Sequence, residues 1–123
     1  MTEKMKPLDM AMIAAKALSD KKGKNIKVLE TTELTTLADY FIICTATSNT
    51  HVKALIGNVE EAMTKAGEPP LHTEGYREGT WTLADYGCVV VHVFTEEARE
   101  FYALDHRWSD AKPVDISALE ERD

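Results

Sequence analysis

Side chains that could bind a ligand or carry out chemistry are concentrated between Trp81 and Phe94. The second half of this stretch is apolar almost throughout, which predicts a strand buried on both faces, and His92 interrupts it. A histidine there could be a hydrogen-bonded core residue, or a general base if a carboxylate such as Asp85 lay beside it. Polar groups in such a strand destabilise a fold when they are badly placed, so we expect the functional site here.

An indole, a carboxylate and a phenol surround the turn of this predicted hairpin. Trp81 starts the first strand, and Asp85 and Tyr86 begin the Asp-Tyr-Gly turn that follows it. Aromatic residues at strand spacing usually pack in a core. Aromatic residues beside a turn with nearby acids also resemble the anchors of a protein interface. Both interpretations stay open for Trp81 and Tyr86, whereas Trp108 is expected to pack at the end of the last helix.

A second candidate site is formed by Ser48 and Asn49, which lie between a predicted strand and a predicted helix. The N-terminus of a helix presents unpaired backbone N–H groups and can hold a phosphate. Serine and asparagine at this position are more often simple N-caps of the helix. The residue types allow either role.

Familiar catalytic and metal-binding patterns are absent from the chain. It contains no Cys-x-x-Cys, no His-Glu-x-x-His, no phosphate loop ending in Gly-Lys-Ser/Thr and no Gly-x-Gly-x-x-Gly. Cys44 and Cys88 lie in apolar segments, which favours buried thiols over a disulfide. No apolar run approaches the ~20 residues that span a bilayer. We therefore expect a cytoplasmic protein with no cofactor, no metal and no membrane contact.

The predicted elements alternate between helices and strands. Apolar spacing and capping residues predict a helix over 8–22, strands over 25–31 and 39–46, a helix from Ser48 to Gly67, a strand or loop over 71–80, the hairpin, and a last helix from Thr95 to Trp108. This order indicates an α/β single domain, with a mixed β-sheet and helices packed on it. The expected boundaries are a flexible N-terminus at 1–7, a domain at 8–112 and a loose acidic tail at 113–123.

Charge is distributed unevenly along the 123 residues, whose net charge is −7. The first 27 residues carry seven lysines and three acids, and the remainder carries seven basic residues against eighteen acidic ones. An acidic body is a poor match for a bare phosphate backbone, which is bound mainly by Lys and Arg. It suits a basic protein or a small ligand better.

Two separated signatures resemble the ribosomal silencing factor family, also called the Iojap family. The first signature comprises Asp39-Tyr40-Phe41-Ile42-Ile43, Thr45-Ala46-Thr47-Ser48 and His51-Val52. The second comprises Glu74-Gly75, Trp81, Leu83, Asp85-Tyr86-Gly87, Val89-Val90-Val91-His92-Val93-Phe94, Arg99, Phe101-Tyr102, Leu104 and Trp108. The resemblance spans roughly residues 8–112, and it departs from the family at Cys88, where Asp is usual, and at Ala46, where Gly is usual.

The resemblance implies a binding function. Members of the family dock on the large ribosomal subunit through ribosomal protein number fourteen, block joining of the small subunit and lower translation when nutrients are scarce. Their fold is similar to that of nucleotidyltransferases, which need a Gly-Ser turn and paired Asp residues for metal. Here Ala46-Thr47-Ser48 only loosely echoes that turn, and no strand carries Asp-x-Asp. Without paired carboxylates, two-metal chemistry has no ligands.

We therefore predict a protein that binds the large ribosomal subunit and has no catalytic residues. Trp81, Leu83 and Tyr86 would be apolar anchors, Asp85 would pair with a basic residue, and His92 would orient the surface by hydrogen bonding. Little direct contact with nucleic acid is expected, and the free protein could be a homodimer. The alternatives are a nucleotide-binding or nucleotidyltransferase-like enzyme that uses the Ser48 region, and a dimeric scaffold that pairs through the same apolar surface.

Overall fold

The chain folds into one mixed β-sheet with helices on its faces. The structure, a computed structural model, describes residues 6–32, 38–76, 79–102, 111–114 and 116. Its helices are α1 (Pro7–Asp20), α2 (Asn49–Lys65) and α3 (Glu96–Tyr102). Its strands are β1 (Lys24–Glu30), β2 (Tyr40–Ala46), β3 (His72–Tyr76), β4 (Trp81–Asp85), β5 (Val89–Thr95) and β6 (Lys112–Pro113). The predicted α/β class with a mixed sheet is confirmed.

The six strands lie in the order β3-β4-β5-β2-β1-β6. The central strands β2 and β5 run parallel, and the other neighbours are antiparallel. The apolar runs Phe41–Ala46 and Val89–Phe94 therefore occupy the middle of the sheet, where both faces of a strand are covered. This placement explains why these two strands lack the apolar–polar alternation that a half-exposed strand would have.

Helices α1 and α2 cover one face of the sheet. Small side chains on α1, among them Ala11, Ala14 and Ala15, are fully buried and allow the helix to lie close to its neighbours. The Asn58 side-chain amide of α2 donates to the Ala17 carbonyl oxygen of α1 over 2.8 Å. Strand residues with odd numbers in β5, from Val89 to Val93, point into this layer and are fully buried.

The opposite face of the sheet carries two smaller apolar clusters. One contains Leu29, Ile43, Phe94, Ala98 of α3 and Ala111, with Trp81 packed against it. The other contains Ala38, Phe41 and Val90, with Leu83 packed against it. Apolar side chains are therefore buried on both faces of the sheet.

Two expectations change at the ends of the sheet. The segment 71–80, which the sequence leaves as strand or loop, contains the edge strand β3. The loose tail predicted from residue 113 is wrong for the tail residues that the structure describes. Pro113 pairs with Leu29, the Val114 N–H donates to the Val28 carbonyl over 2.8 Å, and Ile116 is buried. The domain boundaries stay a prediction, and Trp108 lies outside the described residues.

Gly23 is packed too tightly to accept a side chain. A Cβ atom there would lie 2.4 Å from Cys44 Sγ and 3.0 Å from the Leu18 carbonyl oxygen. Cys44 is a fully buried free thiol, and burial raises its pKa to about 12, so it behaves as a small hydrophobe, as expected. We expect Gly23→Ala to lower the free energy of unfolding by about 2 kcal/mol in urea denaturation.

Two further variants test that explanation. In the double variant with Cys44→Ala the clash with sulfur is removed, so the combined loss should be smaller than the sum of the two single losses. Gly57 lies on the exposed side of α2 with nothing within 4 Å of an added Cβ. Gly57→Ala should therefore stabilise the protein by about 0.5–1 kcal/mol. If the losses of stability caused by Gly23→Ala and Cys44→Ala simply added in the double variant, a steric clash between the new Cβ and the sulfur would be contradicted.

Candidate docking surface

Cross-strand pairing brings four of the five predicted docking residues to one face of the sheet. Directly opposed residues of neighbouring strands point to the same side. The pairs are Trp81 with Phe94, Leu83 with His92, and Asp85 with Val90. This is the face opposite α1 and α2, because Ala84 and Val91, the alternate residues, pack under those helices. We call the set Trp81, Leu83, Asp85 and His92 the β4–β5 surface.

Tyr86 does not belong to this surface, so that part of the prediction is wrong. It is 5% exposed and packs in the main core with Val89 and Val91. Burial, and secondly the charge of Glu60 on α2, raise the pKa of its phenol. The strict alternation of β4 ends at Asp85, and the turn directs the next side chain under the helices. Tyr86 is therefore a core residue of the turn.

His92 lies among aromatic rings at the centre of the β4–β5 surface. Its ring centroid is 5.2 Å from that of Phe41, 6.1 Å from that of Trp81, and 6.2 Å from the stacked ring of Phe94. The Trp81 indole Nε1–H donates to His92 Nδ1 over 3.4 Å. An accepting Nδ1 means that the neutral ring carries its proton on Nε2. Nε2 is buried and has no hydrogen-bond partner among the described residues.

These contacts disfavour His92 as a general base. Burial lowers its pKa to about 4, and neither ring nitrogen contacts a carboxylate within the described part of the chain. The Asp85 carboxylate, which could have served as the partner, accepts the Gly87 N–H through Oδ1 over 2.8 Å. Gly87 has a φ of 87°, a conformation that favours glycine. By accepting the Gly87 N–H, the Asp85 carboxylate stabilises this turn.

The pKa of His92 predicts a specific dependence of stability on pH. A histidine titrates near 6.5 in an unfolded chain, so below that pH the unfolded state takes up the proton first. The contribution of neutral His92 to the free energy of unfolding is complete above pH ~6.5 and is lost as the pH falls towards about 4. When the pH is lowered from 7 to 5, the free energy of unfolding of the parent should fall by up to about 2 kcal/mol more than that of His92→Phe. Urea midpoints at both pH values measure this difference, and equal losses would contradict it.

An acidic edge borders the apolar centre of the β4–β5 surface. Glu74 of β3 is paired with Leu83, and His72 is paired with Asp85, so these side chains share its face. His72 Nε2 and Glu74 Oε1 lie 2.6 Å apart at the exposed edge of the sheet. Glu74 and Phe41 are two members of this region that the sequence does not single out as docking residues. Strand register could have identified Glu74, whereas Phe41 comes from a strand far away in the sequence.

The Ser48 region forms a cleft of about 700 Å³ where the parallel strands β2 and β5 end. Ser48 Oγ accepts the His51 N–H over 3.1 Å, which is the predicted N-cap. His51 in turn accepts the Thr47 N–H at Nδ1 over 2.9 Å and binds the Lys21 carbonyl through Nε2 over 2.8 Å. Both nitrogens of His51 are therefore used to hold the turn in place.

The charges around this cleft disfavour an anion. Glu96, Glu97 and Glu100 line it together with Ser48 and Asn49, and Lys24 is the cation among its lining residues. Arg99 is nearby but buried, and it donates to the Asn25 carbonyl over 2.9 Å and to Thr45 Oγ1. Three carboxylates repel a phosphate more than one lysine attracts it. The predicted anion site at Ser48 and Asn49 thus receives no support from its surroundings.

We expect that calorimetry with ATP and Mg²⁺ will detect no saturable heat at millimolar ligand. Glu96, Glu97 and Glu100 line the cleft that a triphosphate would have to enter, and their negative charges repel it. A saturable heat that disappeared in a Ser48→Ala, Asn49→Ala variant would contradict this and restore the nucleotide-binding alternative. The same titration with Mg²⁺ alone is the control for metal binding.

The described ranges contain neither a metal-binding cluster nor a membrane-spanning helix. No three His, Cys, Asp or Glu side chains there come together in a way that could hold a metal ion. No helix of this part of the chain has the length and apolar character needed to cross a membrane.

Comparison with known proteins identifies relatives of this chain. A sequence profile described as "Ribosomal silencing factor during starvation" matches residues 4–123. A ribosomal silencing factor RsfS of Chromobacterium violaceum is 39% identical over 105 residues, which cover 85% of this chain and 86% of that protein. The chloroplastic protein Iojap of Zea mays is 33% identical over 115 residues, covering 89% of this chain and 47% of that protein. A crystal structure of a Chromobacterium violaceum protein superposes with a TM-score of 0.82 at 38% identity, covering 91% of this chain and 93% of that one.

Proposed function

This chain belongs to the ribosomal silencing factor family, and from that premise we propose that it binds the large ribosomal subunit and prevents the small subunit from joining. The contact is made through ribosomal protein number fourteen at the face where the subunits meet. The protein acts in the cytoplasm and lowers translation when nutrients are limiting. It does so by occupying a surface, without catalysing a reaction.

The β4–β5 surface is the observation that supports this proposal. Trp81, Leu83 and Asp85 lie on one face of β4. The Phe94 ring of the adjacent strand β5 contacts Trp81, and Leu83 packs against the cluster that contains Phe41 of β2. A compact aromatic and aliphatic patch with acids at its edge has the composition of a protein-binding hot spot. Rigid strands hold the patch, so little conformational entropy is lost when a partner binds.

Charge complementarity supports a basic protein partner. The whole chain has a net charge of −7, and Glu74 and Asp85 border the apolar patch. Acidic residues around a docking surface accelerate encounter with a basic partner and are repelled by exposed phosphates of RNA. We therefore propose a contact with ribosomal protein and little contact with ribosomal RNA.

Co-sedimentation with purified ribosomal subunits tests the proposal. The protein should pellet with large subunits and remain in the supernatant with small subunits. Excess small subunits should compete with it, and pre-bound protein should reduce the formation of joined ribosomes. Failure to pellet with large subunits would refute the proposed function. Pelleting without any effect on joining would refute the mechanism of silencing.

Higher salt should weaken the interaction. Interactions between exposed charges are screened over roughly 10 Å at 0.1 M salt, so a steered, acid-to-base contact loses association rate as salt rises. A Glu74→Gln variant should show a smaller salt dependence than the parent because one of the bordering charges is removed. Equal salt dependence in both proteins would argue against the acidic edge.

A further inference from the structure

Two buried polar atoms have no hydrogen-bond partner among the described residues, and they lie on opposite faces of the sheet. They are His92 Nε2 on the β4–β5 surface and the Tyr86 hydroxyl in the main core. A buried polar atom without a partner lowers the stability of a fold, and each such atom needs an explanation. For His92 the explanation lies in the other ring nitrogen, Nδ1, which accepts the Trp81 indole N–H.

We propose that His92 is a positioning residue, which reduces the stability of the fold and in return holds the Trp81 indole in the orientation needed for docking. This inference rests on the proposed function, because it assigns a role within the proposed docking surface. It is the acceptor at Nδ1 that matters, and the unpaired Nε2 is the consequence of using an imidazole to provide it.

The surroundings of His92 explain why an acceptor is needed there. Phe41, Phe94 and Leu83 around it present carbon atoms, and none of these side chains can accept the indole N–H. The Trp81 Nε1–H lies 3.4 Å from Nδ1, and the two residues are diagonal neighbours on adjacent strands. A phenylalanine at position 92 would fill similar space but would leave the indole N–H without this acceptor.

Three substitutions at position 92 separate the two ring nitrogens. His92→Asn keeps a polar group near the place of Nδ1, His92→Gln keeps one near the place of Nε2, and His92→Phe keeps neither. We expect His92→Phe and His92→Gln to bind large subunits at least about tenfold more weakly, an effect typical of interface residues. We expect His92→Asn to bind within about threefold of the parent, which is within the scatter of near-neutral interface changes.

Stability should change in the opposite direction to binding. His92→Phe removes a buried unpaired nitrogen, so its melting temperature should rise by about 3 °C or more. Tyr86→Phe is the matched control, because it removes the other unpaired buried atom on the face covered by α1 and α2. Tyr86→Phe should also stabilise the fold, yet it should leave ribosome binding unchanged. A residue with a structural role alone would not produce this separation.

The indole signals give a direct readout. The chain has two tryptophans, so a proton–nitrogen NMR spectrum has two indole N–H peaks, and Trp81→Phe identifies one of them. That peak should shift upfield and exchange faster in His92→Phe, and it should stay near its parent position in His92→Asn.

The outcomes distinguish this inference from the proposed function. If Trp81→Ala binds large subunits as well as the parent, the proposed docking surface is wrong. If Trp81→Ala loses binding but His92→Phe keeps it, only the positioning role is wrong. Rescue by His92→Gln rather than by His92→Asn would also overturn it, since Nε2 would then be the functional atom.

Discussion

A Trp81→Ala variant is expected to bind large ribosomal subunits about thirtyfold more weakly than the parent, which corresponds to about 2 kcal/mol. The indole contacts the Phe94 ring at 5.7 Å between centroids and is fixed by its hydrogen bond to His92. Truncation would remove the largest side chain of the β4–β5 surface. Tryptophans held rigidly in this way are the commonest hot spots of protein interfaces.

The measurement must distinguish lost contact from lost folding. Trp81 is half-buried, so its removal also lowers stability, and binding should be measured well below the melting temperature of the variant. Leu8→Ala is a suitable control, since Leu8 is an exposed apolar residue of α1, on the opposite side of the sheet. We expect the control to bind like the parent. Parent-like binding by a folded Trp81→Ala variant would remove the β4–β5 surface from the proposed function.

Much of the fold follows from patterns that are local in sequence. The apolar run Val89–Phe94 predicts a central strand, Ser48 predicts the start of α2, and the Asp-Tyr-Gly turn predicts the β4–β5 hairpin. Each pattern depends on residues a few positions apart, so a short segment of sequence is enough to predict the element. The parallel pairing of β2 with β5 joins strands far apart in the chain, and no local pattern specifies its register.

In the candidate site, too, some features follow from local sequence patterns and others from contacts between distant strands. Alternation along β4 places Trp81, Leu83 and Asp85 on one face, and sequence alone is sufficient for that. Tyr86 is predicted to join them as an aromatic residue beside the turn, but alternation does not continue through a turn, and its side chain is buried in the main core. The surroundings of His92 depend on Phe41, whose position beside it is set by the β2–β5 register. Side-chain environment is a non-local property, so the residue pattern alone leaves the base and core roles of His92 open, and its orienting role is expected only once the family resemblance is added.

The expected cost of removing Phe94 follows from this non-local environment. Phe94 is fully buried, packs with Leu29, Ile43 and Ala98, and lies beside the rings of Trp81 and His92 on the same face of the sheet. We expect Phe94→Ala to reduce the free energy of unfolding by about 3–5 kcal/mol, because truncating a buried phenylalanine leaves a cavity with a cost of this size. That is a large part of the ~5–15 kcal/mol typical of a domain. Urea denaturation at pH 7 measures it.

Phe94 also links the stability of the sheet to the docking surface. Phe94→Leu retains most of the buried volume and should lose less than about 1.5 kcal/mol. Leu71→Ala is the exposed control, because Leu71 is 75% exposed and its truncation should change stability by no more than about 0.5 kcal/mol. Because Phe94 supports Trp81, we expect Phe94→Leu to weaken ribosome binding more than Leu71→Ala does. A loss below about 1 kcal/mol for Phe94→Ala would mean that the cluster around Phe94 can collapse, and that the rigidity proposed for the β4–β5 surface has another source.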